Sequence, residues 1–410
     1  MDSSPVNAPD RQPSSLSWLA LIDPRKGGWL HLLLIFVPIA IGCRFAGMSA
    51  VVLFLVSAAA IVPLAGLMGE ATEQLSHRLG SGLGGLLNAT FGNAAELIIA
   101  LFALFHGLDD VVKASLTGSI IGNLLLVLGA SLLAGGLKYP VQRFNRTAAG
   151  IGSTMMALAA IGLIVPAMFH ALLDQRGMPG DEMHFLEHEV SVGVSLILLA
   201  AYGLTLIFSL ITHKDLYNPS DEHVESDEDG VWPVRKGVIV LLAATGFVAW
   251  MSEILVGAVE EAGHEIGLTP VFMGVIIVAI VGNAAEHSTA VLMAMKNRMD
   301  LAVGIALGSA LQIALFVAPV LVLASYLRGG APMDLLFSTF EVAAVILAVM
   351  LARMVAEDGE SNWLEGAMLL MMYALLAVAF FFLPGHPEPR PAVDATATAY
   401  ALAPQSPAGQ

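Results

Sequence analysis

The sequence predicts an all-α, polytopic membrane protein of about eleven transmembrane helices, arranged as one N-terminal helix followed by two inverted five-helix repeats. Three observations predict it. Hydrophobic residues fill 57% and charged residues only 13% of the 410 positions, against about 45–50% and about 25% in soluble domains. Gly92-Asn93-Ala94-Ala95-Glu96 recurs as Gly282-Asn283-Ala284-Ala285-Glu286, and Gly118-Ser119 recurs as Gly308-Ser309, both at an offset of 190 residues (92 to 282, 118 to 308). An ungapped repeat of this kind marks a duplicated architecture. Finally, the basic residues divide unequally between the two sides of the membrane, as membrane insertion requires.

Residues 1–27 read as a solvated cytoplasmic tail, without a basic stretch leading to a cleavable small-residue site. No signal peptide is expected there, so the first apolar helix directs insertion and stays. Residues 28–46 hold that extra helix, at 29–45. The first repeat, 47–213, carries helices at 47–69, 86–106, 111–135, 147–172 and 188–212. The second, 236–383, carries helices at 236–258, 270–295, 301–326, 335–355 and 363–383. Each is long enough to cross a hydrocarbon core. Several hold Gly, Pro or Ser internally, which membrane helices tolerate where neighbours satisfy the freed backbone groups. Between the repeats, 214–235 is an acidic cytoplasmic linker, whose dense run from Asp215 to Gly230 reads as a solvated connection or as a weak regulatory cation site. Residues 384–410, rich in Pro and Ala, read as a disordered tail. The formal charge of −16 sits largely in that linker and in helix ends, so it does not indicate an acidic soluble chain.

With the N-terminus inside, only Arg44, Lys113, Arg176, Arg328 and Arg390 of the eighteen basic residues fall outside, leaving thirteen inside. The N-terminus is therefore expected in the cytoplasm and the C-terminus outside. The two GNAAE copies lie five helices apart, an odd number, so they enter the membrane from opposite sides. Inverted repeats of this type build a substrate site near the midplane.

A carboxylate at the centre of a membrane helix costs roughly 2.5–3.5 kcal/mol even on insertion scales, and this chain carries two at equivalent positions. Asn and Glu three residues apart share a helical face. The candidate site therefore combines Asn93, Glu96, Asn283 and Glu286 with Ser119, Asn123, Ser309 and Gln312. These are oxygen donors, which suit Ca²⁺ with its 6–8 oxygen ligands and suit zinc or copper poorly. Cys43 is the only cysteine, which excludes an internal disulfide and a thiolate cluster. Two carboxylates neutralise one divalent cation. With the cation gone they repel one another in an apolar pocket, and protons compete with the metal for the same oxygens. Such competition with alternating access is sufficient for antiport. Glu70, Glu73, Glu260 and Glu261 at helix ends are candidates for a second acidic tier, with Glu70, Glu260 and Glu261 alternatively read as solvated caps. Glu253, deeper in its helix, is the better candidate for a proton or cation path. His287 is either a proton relay or a packing histidine; His77, His106, His184 and His188 read as loop or helix-end residues.

With these motifs assembled, the sequence resembles the cation/proton exchanger family, the branch of the calcium/cation antiporter superfamily that trades Ca²⁺ for H⁺. The likeness spans roughly residues 29–383 and rests on both GNAAE segments, His287, both Gly-Ser pairs, Gln312 and the acidic break between the halves. It implies Glu96 and Glu286 as principal cation ligands, with Asn93, Asn283, Ser119, Ser309 and Gln312 completing or orienting the site. Glu73 and Glu253 match its secondary acidic positions. Gln312 has Gly122 as its formal repeat partner, so Asn123 stands outside the strict repeat. The resemblance implies a transporter, with no cofactor, Ca²⁺ and H⁺ as substrates, the bilayer as environment and no nucleic-acid partner. A homo-oligomer is left open, and the host membrane is a prokaryotic inner membrane or, alternatively, a vacuolar one. Exchange coupled to Na⁺ or K⁺, monovalent cation/H⁺ antiport and an uncoupled channel are the competing readings. An intramembrane metalloprotease would need a paired His motif within a membrane helix, and the one pair with that spacing, His184 and His188, reads as a loop residue and a helix end.

Overall fold

The structure, a computed structural model, describes residues 32–213 and 232–383. The two tails and the acidic run Asp215 to Gly230 lie outside these residues. The chain folds into helices α1 (Leu33–Phe45), α2 (Ala50–Gly80), α3 (Leu83–Phe91 and Ala94–Phe105), α4 (Asp109–Gly136), α5 (Arg146–Gln175) and α6 (Gly180–Thr212). The second half supplies α7 (Val234–Ile266), α8 (Pro270–Gly282 and Ala284–Met295), α9 (Met299–Ser325), α10 (Thr339–Ala356) and α11 (Trp363–Phe382). Among the described residues eight helices are long and apolar enough to span a membrane, or ten with each bent pair counted as one span; α1 is shorter.

The helices run further than hydropathy alone suggests. α2 continues past Glu70 and Glu73 to Gly80, which breaks it with φ 78°. α7 continues past Glu260 and Glu261 to Gly267, a left-handed cap at φ 76°. Glu, Gln, Leu and Arg are good helix formers, so the polar ends continue the helix until a glycine stops it. These glutamates lie within helices, not at their ends. α6 begins at Gly180, earlier than expected, because Asp181 and Glu182 fill its first turn, where negative charge is favoured. α10 starts at Thr339, fixed by a capping box between Ser338 and Glu341. A two-residue antiparallel ladder, β1 (Gln142–Arg143) with β2 (Glu360–Ser361), joins two connections on one face, a feature that an all-α reading does not anticipate.

α4 and α9 form the centre. In their most apolar stretches 83% and 67% of residues are buried, against 17% for α6 and 22% for α11. α2 and α7 pack along one another and against α3. Small residues permit the closest crossings, as is general where lipid offers apolar side chains no advantage in association. A Cβ on Gly366 of α11 would overlap the Leu133 backbone and approach Gly129 O to 2.6 Å, so α11 and α4 meet backbone to backbone.

Both central helices contain one wider, π-helical turn: Gly122–Val127 in α4 and Ile313–Val317 in α9. Such turns insert a residue and re-aim the side chains around them. They begin within one turn of the Gly118-Ser119 and Gly308-Ser309 pairs.

Candidate functional site

The repeated motif is a helix break followed by a helix start. Asn93 (φ −109°, ψ 29°) and Asn283 (φ −94°, ψ 4°) leave the helical region, and the halves of α3 and α8 bend by 42° and 60° there. Each Asn then occupies the N-cap, and Glu96 and Glu286 fall in the first turn of the new helix, where a carboxylate is favoured. An N-cap Asn ordinarily bonds the first free N–H groups of its helix. Neither of these does. Both side chains are turned instead into a network between the halves.

Asn283 Nδ2 donates to Ser119 Oγ at 3.0 Å and to Ala279 O at 2.9 Å. Asn123 Nδ2 donates to Asn283 Oδ1 at 3.1 Å and to Ser309 Oγ at 2.9 Å. Ser309 in turn donates its single hydroxyl proton to Glu286 Oε2 at 2.7 Å. That choice fixes the Asn93 amide, which two orientations fit. With its oxygen toward Ser309, Asn93 would need the same proton that Ser309 gives to Glu286, and would set that oxygen against the carboxylate. Turned over, its nitrogen donates to Ser309 Oγ at 2.8 Å and to the two Glu286 oxygens at 3.1 and 3.3 Å. We adopt this second orientation, since amide placement follows the hydrogen-bond network. Asn93 Oδ1 then faces the Gln312 amide at 2.5 Å, which is turned over in the same way so that its nitrogen donates to Asn93.

These contacts cross between the halves in matched pairs. Asn93 meets Ser309 as Asn283 meets Ser119, related by the 190-residue offset. Each motif Asn also meets an amide of the opposite central helix: Gln312 for Asn93, Asn123 for Asn283. The two amides are one residue out of strict register. The π-helical turns are likewise displaced, starting at 122 and at 313, and this displacement brings Asn123 to the position its formal repeat partner does not occupy.

The carboxylates are not equivalent. Glu286 is held by Ser309 and Asn93, whereas Glu96, 8% exposed, has an Oε1 without a hydrogen-bond partner. Asn123, fully buried, likewise leaves Oδ1 unpaired. Buried polar atoms are usually satisfied, so an orphaned acceptor on Asn123 within the network and another on Glu96 beside Gly282 mark where a positively charged guest belongs. Gly282 makes room for Glu96: a Cβ there would stand 3.1 Å from Glu96 Cγ. Among the described residues no three His, Cys, Asp or Glu side chains are placed to hold a metal ion together. A cation here therefore meets two carboxylates and otherwise neutral oxygens.

The other candidates lie elsewhere. Glu253 is exposed, on a stripe of α7 shared with Gly257, Glu260, Glu261 and His264, all exposed. It joins none of these hydrogen bonds; a proton or cation path through it would run along this exposed face of α7. Glu73 is exposed too, 3.9 Å from His77. The His287 ring, one residue beyond Glu286 and so turned about 100° around the helix, joins none of these hydrogen bonds. Among the histidines read as unimportant, His184 lies 3.3 Å from the buried Glu187, whose other oxygen meets His170 at 2.5 Å.

One pair escaped the sequence reading. Lys138 Nζ donates to Met295 O at 2.9 Å, and Arg328 Nη1 donates to Leu104 O at 2.7 Å. Each basic residue stabilises the last turn of the opposite half's broken helix, where cations are favoured. Lys138 and Arg328 are themselves 190 residues apart, and that offset was the available signal. Arg328 also grips Asp109 through two bonds, at 2.5 and 3.0 Å.

The profile of the family described as sodium/calcium exchanger protein matches residues 49–211 and 236–382, one block in each half. The chain belongs to the sodium/calcium exchanger protein family. Among relatives of this exchanger-family chain, a Ca(2+)/H(+) antiporter of Aphanothece halophytica is 46% identical over 371 residues, covering 87% of this chain and 97% of the relative. The Ca(2+)/H(+) antiporter ChaA of Bacillus subtilis is 46% identical over 349 residues, covering 85% and 97%. The solved structure of native YfkE superposes with a TM-score of 0.72 at 43% identity, covering 86% of this chain and all of that one. In this exchanger the two matched blocks are those whose motifs meet at the centre, and the gap between them contains the acidic run.

Proposed function

We propose that this chain is a secondary antiporter that carries Ca²⁺ in exchange for H⁺ across a membrane, with Glu96 and Glu286 as the groups that hold either substrate. The observation that carries the reading is the buried network itself, two carboxylates from opposite halves with unpaired acceptors on Glu96 and Asn123 among amide and hydroxyl oxygens. Relatives named Ca²⁺/H⁺ antiporters at 46% identity support the choice of substrates. One Ca²⁺ neutralises both carboxylates; protons on the same oxygens do so as well. Either guest makes the site neutral, and a neutral site is less costly to move through a low-dielectric interior than a charged one. Asn93 and Ser309 hold Glu286 in place by donating to it, while Glu96 is left without such restraint. With few charged ligands the site releases what it binds, as transport requires. Asn283, Ser119, Asn123 and Gln312 hold the frame. Glu73, Glu253 and His287 have no part in binding on this reading.

The N-terminus lies in the cytoplasm and the C-terminus outside, on the charge distribution of the loops. The test is Ca²⁺ uptake into inside-out vesicles under an acid-inside gradient. Uptake is expected to collapse with a protonophore and to be indifferent to Na⁺. Uptake that follows a Na⁺ gradient instead would replace the proton as the coupling ion.

A further inference from the structure

The hairpin ends of α5 and α6, joined through Gly177, reach past the apolar layer. Helices of 30 and 33 residues run about 45 and 50 Å against a hydrocarbon core of about 30 Å, and Asp174, Arg176, Asp181 and Glu182 at the junction are exposed. Just inside α6 stands His184-Phe185-Leu186-Glu187-His188. Histidines four apart share a helical face, the spacing at which two imidazoles hold one metal ion, and His-x-x-Glu-His is one form of it. Five residues of this kind recur by chance, but here the surrounding contacts extend the pattern.

Glu187 is 4% exposed, and each of its oxygens faces an imidazole: Oε1 the His170 Nδ1 from α5 at 2.5 Å, Oε2 the His184 Nδ1 at 3.3 Å. A carboxylate at Nδ1 places the proton there and leaves the lone pair of Nε2 free. A carboxylate behind the ring is also what fixes the orientation of metal-bound histidines. The His184 side chain is 68% exposed, so its free nitrogen is within reach of solvent. His188 Nδ1 is buried without a hydrogen-bond partner, although such atoms are usually satisfied. Glu187 is itself fixed, because Ser191 Oγ donates to its backbone oxygen at 2.7 Å and accepts from Leu335 N at 3.0 Å.

We infer that His184 and His188 hold a transition-metal ion of the zinc or copper kind at the free end of this hairpin, with Glu187 orienting His184. Imidazole nitrogen suits those metals, where Ca²⁺ takes oxygen. Two side chains are the protein's ligands and water fills the other positions, since no third is placed to join them. The site shares no residue with the central network and does not rest on the exchange reading.

The test is electron paramagnetic resonance of the purified full-length chain, in a Cys43→Ser background, with one equivalent of Cu²⁺. Superhyperfine lines from imidazole nitrogen are expected, retained in Glu96→Gln with Glu286→Gln and lost in His184→Ala with His188→Ala. Lines that persist without these two histidines, or a spectrum of oxygen ligation alone, overturn the inference. Zn²⁺ gives a second measurement. It is expected to raise the melting temperature of the parent and not of the double-histidine variant, which without metal melts like the parent; an equal rise in both overturns the site. Glu187→Gln is expected to weaken Zn²⁺ binding about ten- to hundredfold, and unchanged affinity overturns its positioning role.

Discussion

At the scale of single residues, the site is a set of unequal partners built from equal motifs. Glu96→Gln and Glu286→Gln each remove a charge that neutralises the guest, and each is expected to abolish Ca²⁺ uptake in vesicles while leaving the protein's elution and melting unchanged. Retained uptake in both would remove the carboxylates from the mechanism. The serines separate more finely. Ser309 donates to a carboxylate and accepts from two amides, whereas Ser119 is bonded by Asn283. Hydrogen bonds to charged groups contribute about 1.5–3 kcal/mol and neutral ones about 1. Ser309→Ala is accordingly expected to lower uptake roughly ten- to hundredfold and Ser119→Ala about fivefold, measured as initial rates at subsaturating Ca²⁺. Equal losses would refute the asymmetry. The sequence made these residue types legible because a carboxylate in an apolar helix is conspicuous and the motif is duplicated. It did not show which face Glu253 turns to, because depth along a helix says nothing about rotation around it.

Among the elements, the broken helices and the π-helical turns do the positioning. The bends in α3 and α8 fall at the two Gly-Asn steps, inside apolar stretches that each read as one continuous helix. The π-helical turns do not, since nothing in Gly122–Val127 distinguishes it from an ordinary helical stretch; only contact with the partner Asn reveals the one-residue shift. Helix ends are not legible from hydropathy where polar residues prolong a helix past its apolar stretch, as in α2 and α7. Close packing at this scale is testable through Gly366. Introducing a leucine there forces α11 off α4, and overpacking costs typically 1–3 kcal/mol. Gly366→Leu is expected to lower the melting temperature in detergent by several degrees, a change a loop substitution such as Gly177→Ala would not produce through packing. An unchanged melting point would mean that the two helices do not meet as described.

On the scale of the whole molecule, the 190-residue offset carried most of the architecture, because a repeat displaced by an odd number of crossings dictates both opposed orientation and a shared centre. Orientation itself is a proposal from charge, and it predicts labelling. In a Cys43→Ser background, a cysteine at Leu327 is expected to react with an impermeant thiol reagent in right-side-out vesicles, and one at Lys296 only in inverted ones; the reverse pattern would invert the topology. The halves are also interdependent. Expressed as separate chains divided between residues 213 and 232, neither is expected to take up Ca²⁺, and together they are expected to restore it. Activity from one half alone would contradict the crossed contacts. The reciprocal reach of Lys138 and Arg328 adds a matter of timing. When α3 enters the membrane, the residue that will cap its last turn lies 224 positions further along the chain. Until the ribosome has delivered it, Glu96 waits without Gly282 beside it and Leu104 without its guanidinium, so a first half inserted on schedule is still an unfinished object. The centre of this protein is completed late in its synthesis, and factors that shelter nascent membrane helices have the most to protect in the interval before α9 arrives.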